Sequence, residues 1–150
     1  MNSMLVQTAR FGSIEIESDK IIYFKEGLPG FESLTKFVLL SPPELSPFHI
    51  LQSIEDGDIA LIVTDPFIFK DDYAPYISKS IFKELEIEDD SQAVLFTIIV
   101  IPNDYKKMTA NLMAPIIINS EKRLGKQIIL DKGDYPIRYP IFQNLDGKVG

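Results

Sequence analysis

The sequence of 150 residues contains no cysteine, no tryptophan and a single histidine, His49. Without cysteine, the chain can form neither a disulfide framework nor a thiolate site for a metal or for catalysis. A lone histidine cannot supply the histidine pair of a typical metal site. We expect a structural or surface role for His49, because it lies in the apolar segment before Ile50 and Leu51. The sequence therefore predicts no metal site and no cofactor.

Long apolar runs and catalytic motifs are also missing. No run approaches the roughly 20 apolar residues that a membrane-spanning helix requires, and the N-terminus lacks the basic and apolar regions of a signal peptide. We therefore expect a soluble, cytoplasmic protein. The chain has neither a phosphate-binding glycine-rich loop nor a Gly-x-Ser-x-Gly nucleophile motif. These absences point away from an enzyme, although the many carboxylates leave a paired-carboxylate hydrolase as an alternative.

Basic residues are in deficit, with 15 Lys and Arg against 22 Asp and Glu, which gives a formal net charge of −7. Nucleic acid phosphates and anionic lipids should repel such a chain, so we expect no direct binding to nucleic acid or membranes. A basic protein surface would instead attract it. A moderate negative charge also serves simply to keep a protein soluble. The charge alone leaves both interpretations open.

The composition predicts a packed core, since 45% of the residues are hydrophobic and ten are phenylalanine. At this length we expect a single domain over residues 1–150. Many short apolar segments alternate with turns rich in Gly, Pro and Asp. This pattern is typical of a mainly β protein, here an antiparallel β-barrel or sandwich.

The stretch Met108–Asn119 is the one around which the other segments are arranged. Ile116–Ile118 is a β-branched run that favours an extended backbone, and Pro115 belongs at the start or edge of a strand. We predict a strand from about Pro115 to Asn119, preceded by a turn around Thr109–Asn111.

The other elements follow from period and turn chemistry. Asp56 and Gly57 between two apolar runs predict a hairpin rather than a fragment of a calcium loop. Apolar residues at four-residue spacing predict one short helix at about 73–85, with Asp71 or Asp72 as its cap and Pro75 in its first turn. Further expected elements are a central strand at Ala93–Ile101, a strand at Lys126–Leu130, a turn at Asp131–Asp134 and an edge segment at Tyr135–Phe142.

An acidic segment follows the predicted helix and contains Glu88, Asp89 and Asp90. Such segments are usually solvated loops. Acids at the C-terminal end of a helix oppose its dipole, however, and this favours a docking surface for a basic partner. Asn111 has two comparable interpretations, namely local backbone hydrogen bonding and contact with a partner.

Five blocks of the sequence together resemble the FliW family of flagellar assembly factors. They occur in the family's order and span roughly Phe11 to Pro140. The blocks are Gly27-Leu28-Pro29-Gly30-Phe31-Glu32, Phe48–Asp56 with Leu51-Gln52-Ser53, Thr64-Asp65-Pro66-Phe67, Thr109-Ala110-Asn111-Leu112-Met113-Ala114-Pro115-Ile116, and Gln127-Ile128-Ile129-Leu130. Each block is weak alone, whereas their combination is specific.

The resemblance implies a small, barrel-like, non-enzymatic regulator with two alternating partners, flagellin and the translational repressor CsrA. Abundant flagellin would occupy the protein and leave CsrA free to repress flagellin mRNA. Exported flagellin would release the protein, which would then bind CsrA outside its RNA-binding site and antagonise it allosterically. The acidic charge suits a basic RNA-binding partner. A structural subunit of an oligomer is a further alternative, which would require a large exposed apolar patch.

The motifs do not by themselves identify the contact residues. We predict partner binding at a proline-interrupted strand edge, where exposed backbone groups could take an added segment, and at nearby acids that steer a basic partner. The predicted contact residues are Phe67, Asp71, Asp72, Glu88, Asp89, Asp90, Asn111, Met113 and Pro115.

Overall fold

A computed structural model describes residues 2–130 and 135–142. Within these ranges the chain forms eleven strands and one α-helix, joined by turns and short 3-10 segments. The strands are β1 (Ser3–Thr8), β2 (Gly12–Glu17), β3 (Ile22–Tyr23), β4 (Lys36–Leu40), β5 (His49–Ser53), β6 (Ala60–Thr64), β7 (Ala93–Val100), β8 (Thr109–Ala110), β9 (Ile116–Asn119), β10 (Leu124–Gln127) and β11 (Tyr139–Pro140), and the helix is α1 (Lys79–Glu84).

Seven strands close into a barrel in the order β7-β6-β5-β4-β3-β10-β9. Closure depends on β9, which pairs with β10 on one edge and with the first half of β7 on the other. Neighbours in the ring are antiparallel except β3 and β10, which meet in parallel at Tyr23 and Leu124. The mainly β fold class predicted from the sequence is confirmed.

The barrel interior is filled by large apolar side chains from most of the ring. Phe24 and Phe37 meet edge to face with ring centroids 5.4 Å apart, and both are fully buried. Ile116 and Ile118 of β9 pack into the same cluster. Each such side chain contributes roughly 1.5–3 kcal/mol when it is fully buried. Gly125 of β10 leaves room for this packing, because a Cβ there would lie 2.6 Å from the Phe24 ring.

The predicted strand after Pro115 is confirmed as β9, but the turn before it lies further along the chain than predicted. Thr109 and Ala110 form the short strand β8, and the turn occupies residues 111–114. The Asn111 side chain explains the shift, since its Oδ1 accepts hydrogen bonds from the backbone N–H groups of Met113 and Ala114. Such a bond pattern fixes a turn immediately after the asparagine.

The other predicted strands also have counterparts in the structure, although β10 covers Leu124–Gln127 rather than the predicted Lys126–Leu130. β5 and β6 form the predicted hairpin across Asp56 and Gly57. The predicted central strand is β7, which pairs with three strands. At the C-terminal end, β11 pairs with β8 at the margin of the sheet. The turn predicted at 131–134 lies outside the described residues.

The helix α1 begins six residues later than its spacing pattern indicates, at Lys79 rather than Tyr73. Residues 73–78 are non-helical because they are fastened to the barrel. The Tyr73 hydroxyl donates to the Leu112 carbonyl at 2.6 Å, and the Ala74 N–H donates to the Tyr135 hydroxyl at 3.0 Å. Pro75 also disfavours the helical conformation at Ala74. Asp71 and Asp72 therefore do not cap the helix, which starts after Ser78.

The first two strands form a separate two-stranded ribbon against the barrel wall. Val6 and Ile16 pack on Val38 of β4 in a small apolar cluster. The ribbon is also bonded to the β5–β6 hairpin, because the Ala9 N–H donates to the Gly57 carbonyl at 3.0 Å. In the part of the chain that is described, no helix is long and apolar enough to cross a membrane.

Asn119 at the end of β9 allows the stability of the closing strand to be tested, because its side chain forms hydrogen bonds to backbone groups of neighbouring segments of the same chain. Its Nδ2 donates to the Leu85 and Glu86 carbonyls, and its Oδ1 accepts from the Glu121 and Lys122 N–H groups. Asn119→Ala should lower the free energy of unfolding by about 2–4 kcal/mol, since the buried Leu85 carbonyl and three partly buried backbone groups lose their partners. Urea unfolding of both proteins measures the difference.

Asn103→Ala is the matched control, because Asn103 is exposed and its loss should cost less than about 0.5 kcal/mol. Equal stability of the two variants would contradict the role assigned to Asn119.

Candidate partner-binding site

Four segments meet where the chain turns into β9, and we call this region the turn surface. It comprises residues 65–78, 111–115, 127–130 and 135–137. From the first segment, the Tyr73 hydroxyl donates a hydrogen bond to the Leu112 carbonyl. The Leu112 N–H in turn donates to the Pro136 carbonyl at 3.1 Å. The Leu130 N–H donates to the Met113 carbonyl at 2.9 Å. The turn at 111–114 is thus bonded to all three other segments.

Asn111 holds this turn through both its side chain and its backbone. Besides the two bonds to its Oδ1, its N–H donates to the Ile98 carbonyl and its carbonyl accepts from the Thr97 hydroxyl. Thr97 is fully buried in the central strand. These contacts confirm that Asn111 satisfies local backbone groups, and its contact with a partner stays a prediction.

Tyr73 is the anchor between the turn and the segment before the helix. Its ring is 3% exposed and packs edge to face against Tyr135, with centroids 4.7 Å apart. Burial raises the pKa of the Tyr73 phenol well above its usual value, because the phenolate would be poorly solvated. The phenol therefore stays protonated and can keep donating to Leu112.

The turn surface carries several large apolar side chains that face solvent. Phe67, Tyr76, Ile129 and Ile137 are 41%, 73%, 60% and 58% exposed. Exposed apolar residues are normal when scattered singly, but four on neighbouring segments form a candidate contact surface. Phe67 is one of the contact residues predicted from the sequence, and the centroid of its ring lies 6.1 Å from that of the Tyr73 ring.

Two predicted acids, Asp71 and Asp72, lie exposed beside these apolar groups. Asp72 forms an ion pair with Lys70 at 2.9 Å. The hydrogen bond from Lys70 lowers the pKa of Asp72, and the same bond raises the pKa of Lys70. The Lys70 ammonium also lies 5.6 Å from the centre of the Tyr139 ring. Lys70 thus balances one of the two acids, and the surface keeps a negative charge at Asp71.

The other predicted acids lie elsewhere. Glu88, Asp89 and Asp90 precede β7 at the opposite end of its pairing with β9, so the whole paired length, about 10 Å of strand, lies between them and the turn. Asp89 has a structural role, because its side chain accepts from the Ser91 N–H and caps a 3-10 segment. The structure therefore brings Phe67, Asp71, Asp72, Asn111 and Met113 into one region and places Glu88–Asp90 in another.

Pro115 does not form the exposed edge for which it was predicted. It is buried, and its carbonyl accepts from the Ile128 N–H at 2.8 Å. Met113 is half-buried, and its carbonyl is likewise occupied by Leu130. The segment 128–130 continues the pairing of β10 with β9 and covers this edge. The contribution of Pro115 to partner binding stays a prediction, but its backbone offers no free acceptor.

Sequence reasoning missed an ion-pair cluster beside the helix. The Lys126 ammonium lies 3.0 Å from the carboxylates of both Glu26 and Glu84. Burial opposes its charge, but the bonds to these carboxylates prevail and raise the pKa of Lys126. Nothing in the sequence links Glu26 to residue 126, since the two meet only through the parallel contact of β3 and β10. Sequence reasoning also missed the exposed side chains of Tyr76 and Ile129. Tyr76 was expected inside the helix, and Ile129 was expected inside a strand.

Comparison with known proteins gives a consistent result. The family model described as FliW protein matches residues 5–141. The chain belongs to the FliW family. The flagellar assembly factor FliW of Alkaliphilus metalliredigens is 43% identical over 143 residues, covering 95% of this chain and 88% of that protein. The flagellar assembly factor FliW of Thermoanaerobacter pseudethanolicus is 46% identical over 143 residues, covering 95% of each chain.

A solved structure supports the same assignment. The crystal structure of the flagellar assembly factor FliW superposes on this chain with a TM-score of 0.88 at 34% identity. The match covers 93% of this chain and 97% of the crystallised one. The resemblance inferred from the five sequence blocks is therefore confirmed.

Tyr73 can be tested through stability and its dependence on pH. Tyr73→Phe should lower the free energy of unfolding by about 1–2 kcal/mol at pH 7, because the Leu112 carbonyl loses its donor. Since folding raises the pKa of the phenol, the unfolded state releases this proton more readily above about pH 10, and stability falls there. The Phe variant should lose stability less steeply between pH 10 and pH 11.

Urea unfolding at pH 7, 10 and 11 measures both effects. Tyr76→Phe is the control, because this ring is largely exposed and its change should leave the alkaline slope intact. A Tyr73→Phe variant with the same alkaline slope as the parent would contradict the protonated, buried phenol.

Proposed function

We propose that this member of the FliW family of flagellar assembly factors is a cytoplasmic, non-enzymatic regulator that binds flagellin and CsrA alternately. Free flagellin occupies the protein while flagellin is abundant. When flagellin is exported, the protein binds CsrA outside its RNA-binding site and antagonises it allosterically, so that flagellin mRNA is translated. Neither nucleic acid nor a membrane is a direct partner.

The observation that carries this proposal is the composition of the turn surface. It combines exposed apolar side chains, represented by Phe67 and Ile129, with an acidic margin at Asp71 and Asp72. Apolar groups inside a polar rim are the usual anatomy of a protein–protein contact. The scaffold beneath it is rigid, because the turn at 111–114 is bonded to three other segments. Such preorganisation limits the entropy lost on binding.

The charge of the chain supports CsrA as one of the two partners. A basic RNA-binding protein is attracted by a surface of net charge −7, and this attraction mainly accelerates association. The same negative charge disfavours direct contact with RNA. Antagonism outside the RNA-binding site therefore suits this protein better than imitation of an RNA strand by its scattered acids.

The hydrolase alternative gains little from the geometry. Glu26 and Glu84 do converge, but they do so on the Lys126 ammonium that lies between them. A carboxylate pair that acts as acid and base needs one protonated and one ionised member near a bound substrate. Here the Lys126 ammonium is the group on which both carboxylates converge. This cluster is better explained as a structural ion pair that joins α1 to the barrel.

Calorimetric titration tests the alternation directly. We expect purified CsrA to bind this protein with a submicromolar Kd at low salt and more weakly at high salt, because exposed charges are screened. Saturation with flagellin should abolish that binding. CsrA binding that survives saturating flagellin would show two separate surfaces, and no binding to either protein would refute the proposed function.

The two acidic groups can be compared by neutralising each without a change in shape. The double variant Asp71→Asn, Asp72→Asn should slow the association with CsrA about threefold to tenfold at low salt, since these acids border the turn surface. The double variant Glu88→Gln, Asp90→Asn is matched in charge and leaves the capping residue Asp89 intact. Stopped-flow association rates at two salt concentrations decide between them.

A larger effect from the second pair would move the steering surface to the segment before β7. Equal, small effects would mean that the net charge acts as a whole rather than through either group.

A further inference from the structure

One edge of the barrel wall is open next to the turn surface. β3 pairs with β10 only at Leu124, and the chain turns away after Phe24, since the Gly27 N–H donates to the Phe24 carbonyl and closes a turn. The segment that follows Gly125 therefore has β9 and residues 113–115 on one side. On its other side, no strand among the described residues pairs with it.

The hydrogen bonds of this segment show which backbone groups are unused. The N–H groups of Ile128 and Leu130 donate to the carbonyls of Pro115 and Met113, respectively. Ile128 and Leu130 therefore direct their backbone polar groups toward the segment that leads into the closing strand β9. In an antiparallel ladder the residues between them direct their N–H and carbonyl groups the opposite way. Gln127 and Ile129 accordingly present backbone donors and acceptors at the open edge, where none of the described residues bonds to them.

A groove lies along this open edge. One wall is the segment 126–130, and the other is formed by Tyr76, Ser78 and Ile81 before and within α1. Its volume of about 570 Å³ is within the range of roughly 300–1,000 Å³ that is typical of binding pockets. Tyr76 and Ile129 contribute apolar surface that is more than half exposed.

The charge of the groove restricts what can occupy it. Seven of its eight lining residues are uncharged, and the eighth is Lys126, whose ammonium is already neutralised by Glu26 and Glu84. A charged segment would lose hydration there without gaining a charged partner among the lining residues. The complementary occupant is therefore uncharged and apolar, in contrast to the basic surface that suits the acids at Asp71 and Asp72.

We propose that the open edge at Gln127–Ile129 binds an extended, uncharged segment of a protein partner, which adds to the barrel wall as an extra strand. Its backbone bonds to Gln127 and Ile129, and its apolar side chains pack against Tyr76 and Ile81. This mode of binding is β-strand addition, in which main-chain bonds give affinity and the groove selects side chains. The inference rests on the proposed function. Because the basic partner CsrA suits the acids at Asp71 and Asp72, the segment that enters the uncharged groove belongs to the other partner, flagellin.

Hydrogen exchange of the full chain tests the added strand on the unmodified protein. In the free protein the Gln127 and Ile129 amides should exchange rapidly, because they are unbonded. Saturation with purified flagellin should slow both amides at least about tenfold, whereas saturation with purified CsrA should leave them fast. The amides of Leu5 and Gln7 in the exposed ribbon should remain unchanged.

A proline variant tests the same edge by affinity. Ile129→Pro removes the outward N–H while keeping an extended backbone, and proline is tolerated at such edge positions. It should weaken the complex with flagellin about tenfold, as expected for the loss of one to two main-chain hydrogen bonds. Leu5→Pro is the matched control, because Leu5 is exposed in β1. Its N–H also points away from the paired strand, since the Ser18 N–H bonds to Asn2 and the pattern alternates.

The outcomes separate the two proposals. Binding of flagellin with fast exchange at Gln127 and Ile129, or slow exchange of these amides only in the CsrA complex, would overturn the addition of a flagellin strand and leave the proposed function standing. Slow exchange of these amides in the free protein would also overturn it, since the edge would then be occupied already. Failure of both proteins to bind would refute the proposed function and, with it, the addition of a flagellin strand.

Discussion

The pairing of β9 with two strands at once is the constraint on which the rest of the structure depends. Its four residues are fully paired on both edges, with Leu124–Gln127 on one side and Ala93–Phe96 on the other. Without this double pairing the sheet would remain open, and the buried Ile116 and Ile118 of β9 would lose their neighbours in the core. Asn119 ends the strand by bonding to the chain after α1, so barrel closure and helix position depend on each other.

Closure at β9 also explains where the candidate surface forms. A strand that is paired on both edges cannot accept a partner, which is why the predicted edge at Pro115 is covered. The unpaired edge moves to the next strand along the ring, at Gln127 and Ile129. The turn before β9 must reverse the chain from β8 within residues 111–114, and Asn111 makes this possible through its side chain. The rigid turn and the open edge are therefore both consequences of the way in which β9 closes the barrel.

The sequence was informative wherever local chemistry decides the structure. Ile116–Ile118 after Pro115 predicted the closing strand, and Asp56-Gly57 predicted the hairpin, because both signals lie within a few residues. The start of the helix could not be predicted in this way. The spacing of Tyr73, Ile77 and Ile81 is helical, but Tyr73 bonds to Leu112, 39 residues away in the sequence. The Lys126 cluster escaped prediction for the same reason, since Glu26 is 100 residues distant.

The division of charge over the surface bears on how the protein would discriminate between the two partners proposed above. The acids at Asp71 and Asp72 act over a Debye length of about 8 Å and therefore influence encounter before contact. The uncharged groove at Ile129 acts only on contact, through short-range packing and main-chain bonds. A basic partner gains mainly from the first feature, and an apolar extended segment gains mainly from the second. Because both features adjoin the turn surface, two partners with different chemistry could still exclude one another by overlap.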